Sequence, residues 1–206
     1  CMVTVTADLA LQQADIADDL FKQGSVCGPL QGIPYVIKDL LDVAGVPTTW
    51  GAEFHLDYMP TQDAKVYELL RNSGAVMLGK AALGALAMGD IWHRGQTRNP
   101  WNRKEGSTGS SAGSAAAVGA GLCAFGIGSE TIGSIQIPSQ RCGTVGLRPT
   151  FGRVSRRGAM TLCWSLDKIG PICRSSIDAG LVLESINRHD PVDLNSVDYS
   201  FIAPGM

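Results

Sequence analysis

Gly106-Ser107-Thr108-Gly109-Ser110-Ser111-Ala112-Gly113-Ser114 runs directly into Ala115-Ala116-Ala117-Val118, and Gly128-Ser129-Glu130-Thr131-Ile132-Gly133-Ser134-Ile135 follows a short apolar stretch further on. A glycine/serine stretch in isolation has the composition of a flexible linker. Here both loops adjoin small or branched apolar residues that form structure. Residues 114–122 are predicted to be a buried helix, and residues 123–129 a strand that delivers the second serine loop. Neither loop ends in the Gly-Lys-Ser/Thr of a phosphate-cradling Walker loop, and neither carries G-x-G-x-x-G. Serine chemistry remains. A serine hydroxyl is a weak nucleophile at its own pKa and needs a positioned base and backbone donors. Upstream, Lys38 closes a short apolar strand and is available as that base.

Working outward, residues 33–39 (IPYVIKD) read as a strand rich in β-branched and aromatic residues, preceded by a turn cluster at residues 28–32. Residues 63–74 are the clearest helix, with Asp63 as its cap, Val66, Leu69 and Leu70 as its apolar stripe and Gly74 closing it. Residues 75–79 (AVMLG) make a short buried strand. That strand–helix–strand rhythm predicts an α/β protein with some parallel pairing. Residues 1–27 read as a helical lead-in on Leu9, Leu11, Ile16, Leu20 and Phe21, and residues 177–188 as a last amphipathic helix. The polar tail, with Pro191 and Pro204, is expected to fray over residues 194–206.

Composition excludes several function classes. With 206 residues, 45% hydrophobic and 17% charged, the chain has room for a substantial core, and its net charge of −2 leaves no footprint for nucleic acid. Arg153, Arg156 and Arg157 form a small basic patch that reads as a solvated loop. The six cysteines (Cys1, Cys27, Cys123, Cys142, Cys163 and Cys173) form no C-x-x-C pair and have no zinc spacing with histidine. They read as reduced thiols of a cytoplasmic protein, Cys142 as a buried structural one. No metal is expected. The N-terminal region carries Asp8, Asp15, Asp18 and Asp19 where a secretory signal would be basic, and residues 112–128 are too short and too weakly apolar to span a membrane. His55, His93 and His189 lie apart from the serine loops, and the tryptophans Trp50, Trp92, Trp101 and Trp164 read as packing residues.

Taken together, the segments GIPYVIKD, GAVMLGK, TRNPWN, GSTGSSAGSAAAVGAG, GSETIGSIQIPS, CGTVGLRPTFGRVSRRGAM and SLDKIGPICRS resemble, in order and spacing, the amidase signature enzymes. The resemblance covers residues 28–193, which it implies are the signature core. It implies an α/β/α sandwich around a mixed, partly parallel sheet. It also implies a Ser-cisSer-Lys triad without cofactor: Ser134 as nucleophile, Ser110 as the bridging serine behind a non-proline cis peptide, and Lys38 as base. The oxyanion hole would be the backbone N–H groups of Thr131, Ile132, Gly133 and Ser134, and Met88, Gly89 and Ser111 would lie against the substrate. The implied partner is a small-molecule amide, with a homodimer possible. In the variant where the chain is the amidase-like subunit of a tRNA-dependent amidotransferase, partner subunits join it. Members of the family are usually about twice this length, so the sequence is expected to hold the N-terminal half plus the signature core.

The chemistry of the residues agrees with that assignment. Lysine is a base only when neutral. Bringing its pKa from about 10.4 to ~7 takes roughly 4–5 kcal/mol of burial and charge effects. Val36, Ile37, Leu40 and Leu41 permit burial of Lys38, whereas the adjoining Asp39 could pair with it and oppose the shift. Alone, Ser110 is better read as a helix cap for the alanine-rich segment, and Lys38 as an ordinary strand-end lysine; only the joint pattern overturns both. Departures from the family pattern concern specificity and turnover. Ile132 stands for a glycine, Gln136 for a common arginine and Leu40 for a common asparagine, and the segment 83–89 lacks its usual acidic residue. They leave the amide unspecified and keep a third reading open, a non-catalytic scaffold.

Overall fold

The strand expected around Lys38 forms as β2 (Pro34–Lys38), and the rest of the molecule is arranged about it. The computed structural model describes residues 1–203. In chain order it contains β1 (Met2–Val5), α1 (Ala7–Lys22), β2, α2 (Lys65–Asn72), β3 (Val76–Ala81), β4 (Ile91–Trp92), β5 (Gly95–Gln96), α3 (Ala112–Gly119), β6 (Phe125–Glu130), α4 (Gln136–Cys142), β7 (Val145–Gly146), β8 (Lys168–Cys173) and α5 (Ser176–Ile186). Six strands form one sheet in the order β1-β3-β2-β6-β8-β7, and β4 and β5 make a separate hairpin. β2 pairs in parallel with both β3 and β6, while β1, β8 and β7 join antiparallel. The sheet is therefore mixed, with a parallel centre.

A strand buried on both faces sends alternate side chains into two cores. Tyr35 and Ile37 enter one, with Phe125 and Ile127 of β6, Val66, Tyr67 and Leu70 of α2, and Ala179, Val182, Leu183 and Ile186 of α5. Val36 enters the other, with Ala81, Ile172, Ile135 and residues 115–118 of α3. The result is the expected α/β/α sandwich. On the α3 side the layers approach closely because α3 is built from alanine, glycine and serine. A Cβ at Gly126 would lie 3.1 Å from Ser114 Cβ, and one at Gly128 would lie 2.7 Å from Ser111 Oγ. Ser114 uses that proximity, donating its hydroxyl to Ile127 O at 2.9 Å. Among the described residues, no helix is long and apolar enough to cross a membrane.

Several local expectations are corrected. Residues 1–27 are more than a helical lead-in: residues 2–5 form β1 on the edge of the sheet against β3, and only then does α1 begin. Asp63 does not cap α2. Its Oδ1 accepts the Ala44 N–H at 2.8 Å and its Oδ2 accepts from Arg71 at 2.6 Å, leaving Ala64 at the cap position without a side-chain bond. The basic patch is not a solvated loop. Arg156 pairs with Asp193 at 3.3 Å, and Arg157 pairs with Glu68 at 2.7 Å and Asp190 at 3.0 Å. The same contacts hold the tail, which is not frayed over its described part. Asn187 donates to Tyr199 O at 2.7 Å, Arg153 to Ser200 O at 3.0 Å, and Ala203 is buried. Residues 204–206 lie outside the described residues. Trp101 and Trp164 are exposed, rather than packed in the core.

Candidate active site

Lys38 sits at the C-terminal end of β2, in register with Ala81 of β3, and follows Val36 onto the α3 face. It is fully buried. Its Nζ donates to Ser110 Oγ at 2.8 Å, to Ser129 Oγ at 2.9 Å and to Ser129 O at 3.3 Å. Three acceptors match the three protons of an ammonium. In the neutral amine the contact with Ser110 can reverse, the hydroxyl donating to Nζ. Burial pulls the pKa of Lys38 down to about 7, against the opposing charges of Asp167 and Glu130.

Asp39, the feared counter-ion, faces elsewhere. Its Oδ2 accepts the N–H of Thr49 at 3.0 Å and the Thr49 hydroxyl, and its Oδ1 lies 3.4 Å from Lys80 Nζ. In the turn that follows β2 these partners hold the Asp39 carboxylate, so the Lys38–Asp39 pairing that sequence adjacency suggested does not occur.

Ser110 lies at the mouth of α3, behind the Gly109–Ser110 cis peptide. The turn that carries it is held on three sides by the segment 84–90. Gly84 N–H donates to Ser110 O at 3.3 Å, Asp90 Oδ2 accepts the Thr108 N–H at 2.9 Å, and a Cβ at Gly109 would collide with Gly89 O. Ser110 is not the helix cap; Ser111 occupies that position, without a side-chain capping bond. The Ser111 hydroxyl instead donates to Ser129 O and accepts the Ser129 N–H, each at 3.1 Å. It is fully buried. Ser111 therefore braces the two serine loops and has no hydroxyl free for a substrate. Met88 and Gly89 are exposed at the rim beside Gly109.

The second serine loop is joined to the first through its backbone, Ser111 N–H donating to Ser134 O at 3.1 Å. The structure thus brings Lys38 and Ser110 into direct contact and seats Ser134 in the adjoining turn, with no hydrogen bond drawn between the Ser110 and Ser134 hydroxyls. Gly133 has φ +90°, which sharpens the turn ahead of Ser134. Among the described residues, the N–H groups of Thr131, Ile132, Gly133 and Ser134 are not spent on hydrogen bonds within the protein. The buried Glu130 carboxylate secures the far side of the turn, Oε2 accepting the N–H groups of Ile135 at 2.8 Å and Gln136 at 2.9 Å. Ile132 projects into solvent, 80% exposed.

Sequence reasoning did not find Ser129, Asp90 or Asp167 as parts of this arrangement. Ser129 was within sight: it stands between Gly128 and Glu130 in the second loop, and a polar residue at the end of an apolar strand asks for a partner. Cys142 is buried, as expected, and burial pushes its thiol up to about 11, away from any nucleophilic role.

With this geometry in place, comparison with known proteins decides the family. The family model described as Amidase matches residues 1–204. The chain belongs to the amidase family. It is 45% identical, over 95% of its length, to a glutamyl-tRNA(Gln) amidotransferase subunit of Moorella thermoacetica, and covers 41% of that protein. Among solved structures, it superposes on the native peptide amidase of Stenotrophomonas maltophilia with a TM-score of 0.92 and 38% identity, covering 100% of this chain and 42% of that one. It also matches the corresponding glutamyl-tRNA(Gln) amidotransferase subunit of Thermotoga maritima with a TM-score of 0.80 and 40% identity, covering 84% of this chain and 39% of that one. The chain thus spans less than half the length of these amidase relatives.

Proposed function

We propose that this chain carries the nucleophile, relay and base of an amide hydrolase that acts on carbon–nitrogen bonds through an acyl-enzyme on Ser134. The observation that carries this reading is the buried Lys38–Ser110 hydrogen bond of 2.8 Å, made by a lysine whose pKa lies at about 7. Neutral Lys38 takes the proton of Ser110, and Ser110 takes that of Ser134. Ser134 Oγ attacks the amide carbonyl carbon. Negative charge developing on the carbonyl oxygen falls to the free N–H groups of residues 131–134. The tetrahedral adduct collapses with cleavage of the C–N bond, the proton returns through Ser110 to the departing amine, and water then releases the acid by the same relay. Met88 and Gly89, exposed beside the Ser110 turn, are placed to border the substrate. The six free cysteines support a cytoplasmic setting.

Covalent labelling with a fluorophosphonate probe tests the reading. Labelling of the purified chain that disappears in Ser134→Ala and in Lys38→Ala is the expected result. A well-folded chain that takes no label would overturn it and favour the scaffold reading. The 45% identity to a subunit of an amidotransferase favours a second, narrower reading, in which the same chemistry releases ammonia from glutamine for partner subunits. Glutamine turnover together with stable co-purification of partner subunits would select it over a free-standing amidase acting on a small amide, alone or as a homodimer.

A further inference from the structure

Residues 161–167 supply none of the proton-transfer groups, yet one of their side chains grips the turn that carries Ser134. Asp167 lies immediately before β8. Its Oδ1 accepts the Thr131 hydroxyl at 2.5 Å, and its Oδ2 accepts the N–H groups of Leu162 at 2.7 Å and Cys163 at 2.9 Å. The next residue, Lys168, donates from Nζ to Thr131 O at 3.1 Å. Thr131 is therefore held by side chain and by carbonyl from two consecutive residues, while its N–H and the three that follow find no hydrogen-bond acceptor among the described residues.

We propose that Asp167 is a positioning residue for this site: it pins the start of the 131–134 turn, so that the free N–H groups stay aligned with Ser134. The proposal rests on the hydrogen bonds just given, and the charges around Lys38 supply a second readout. Directly after its own strand, Asp39 is engaged by Lys80 of β3. At the end of β6, Glu130 has Arg148 at 3.6 Å. Ahead of and within β8 stand Asp167 and Lys168, and α3 carries no charged residue. Asp167 and Glu130 are the carboxylates whose charge favours the protonated form of Lys38, Asp167 more strongly. Asp167 thereby holds the base close to neutrality, where burial alone would take it lower. The same carboxylate ties an exposed apolar loop, with Trp164 72% accessible, to the turn of Ser134.

Two measurements on the purified chain test this: the NMR titration of the Lys38 ε-methylene signal, which needs no turnover, and the rate of fluorophosphonate labelling well above the Lys38 midpoint. Asp167→Asn keeps the shape and removes the charge. It is expected to move the Lys38 midpoint below about 7 by several tenths of a pH unit and to slow labelling on the order of tenfold. Thr131→Val removes one hydroxyl and no charge, so it should slow labelling and leave the midpoint in place. An unchanged labelling rate in Asp167→Asn overturns the proposal. Should Asp167→Asn fail to fold, unchanged labelling in Thr131→Val overturns the positioning role. The kinetic measurement rests on the amidase reading, whereas the titration does not. An unlabelled parent chain therefore sinks that reading, whereas a labelled parent with an equally labelled Asp167→Asn variant sinks only the proposal.

Discussion

Two lysines enter the interior of this protein from neighbouring strands, and their surroundings give them opposite tasks. Lys38 closes β2 and Lys80 lies within β3; both are fully inaccessible to solvent. Ile37 stands in register with Lys80, and Lys38 with Ala81, so the two side chains leave opposite faces of the sheet. Lys80 meets a carboxylate, Asp39 at 3.4 Å, together with Leu41 O and Thr48 Oγ1, each at 2.6 Å. Lys38 meets two serine hydroxyls and a carbonyl. Burial lowers both, Lys80 to about 8 with Asp39 opposing, Lys38 to about 7 with its carboxylates further off. Burial alone does not make a base. What distinguishes Lys38 is that its nearest partner can itself pass on a proton.

The largest expected effects test that division directly. Lys38→Met should abolish labelling of Ser134, a loss of about 10²–10⁴-fold in rate if Lys38 is the general base, while the fold is kept because a buried amine without a counter-ion is replaced by an apolar chain. Lys80→Met should do the reverse. It strands the Asp39 carboxylate, so unfolding in denaturant should show a loss of roughly 3–5 kcal/mol, while the surviving folded protein still labels. If Lys80→Met kept its stability and lost its label, the assignment of roles would be reversed.

The second test uses pH. Lys38 binds its proton more weakly in the folded chain, at about 7, than its ordinary value of 10.5. Labelling should therefore fall about tenfold for each pH unit below the midpoint. Stability moves the same way for a different reason. Between about 7 and 10.5 the unfolded chain holds the Lys38 proton and the folded chain does not, so stability rises with pH across that window; below it the cost of the buried charge is fully felt. Lys80 adds a similar rise beginning near 8. Denaturation at several pH values should show this climb, and Lys38→Met should flatten its lower part.

A smaller effect separates the two hydroxyls on Lys38. Ser110→Ala cuts the relay and should resemble Lys38→Met in labelling. Ser129→Ala removes only an acceptor that favours the ammonium, so it should lower the midpoint of the pH profile slightly and leave most of the rate. Equal losses in both variants would mean that Ser129 also relays protons.

What the sequence could and could not disclose follows the range of the interactions. Lys38, Ser110 and the turn of Ser134 were each marked by a local pattern, a strand end or a glycine-rich loop, but their joint role came only from the resemblance of the ordered segments, which also gave the fold class. β1 was not, because Met2–Val5 has too few residues to show a period and becomes a strand only by pairing with β3. Asp63 has the chemistry of a cap, but Arg71 and the Ala44 N–H compete for its oxygens and win. The tail looked frayed because its partners, Gly152, Arg153, Ser155, Arg156 and Arg157, come from a distant loop. Asp167 and Ser129 act across 36 and 91 residues of chain, so even where Ser129 stood out as a polar strand end in want of a partner, the sequence did not name that partner.

Ile132 offers the finest distinction between a residue that forms the site and one that merely occupies it. A glycine here would free the backbone, yet Ile132 is not among the residues with positive φ, so the branched side chain sits without strain. The left-handed step of the turn falls on Gly133 instead, at φ +90°. The side chain projects into solvent, and in the proposed mechanism the turn would contribute its N–H, which isoleucine and glycine share. Ile132→Gly should therefore cost only the entropy of a freer loop, on the order of 0.5–1 kcal/mol, read as a decrease of a few-fold in labelling rate with the pH midpoint unmoved. A decrease as large as that of Ser110→Ala would show that the isoleucine holds the turn in place, and the contrast between a backbone that acts and a side chain that only covers would have to be redrawn.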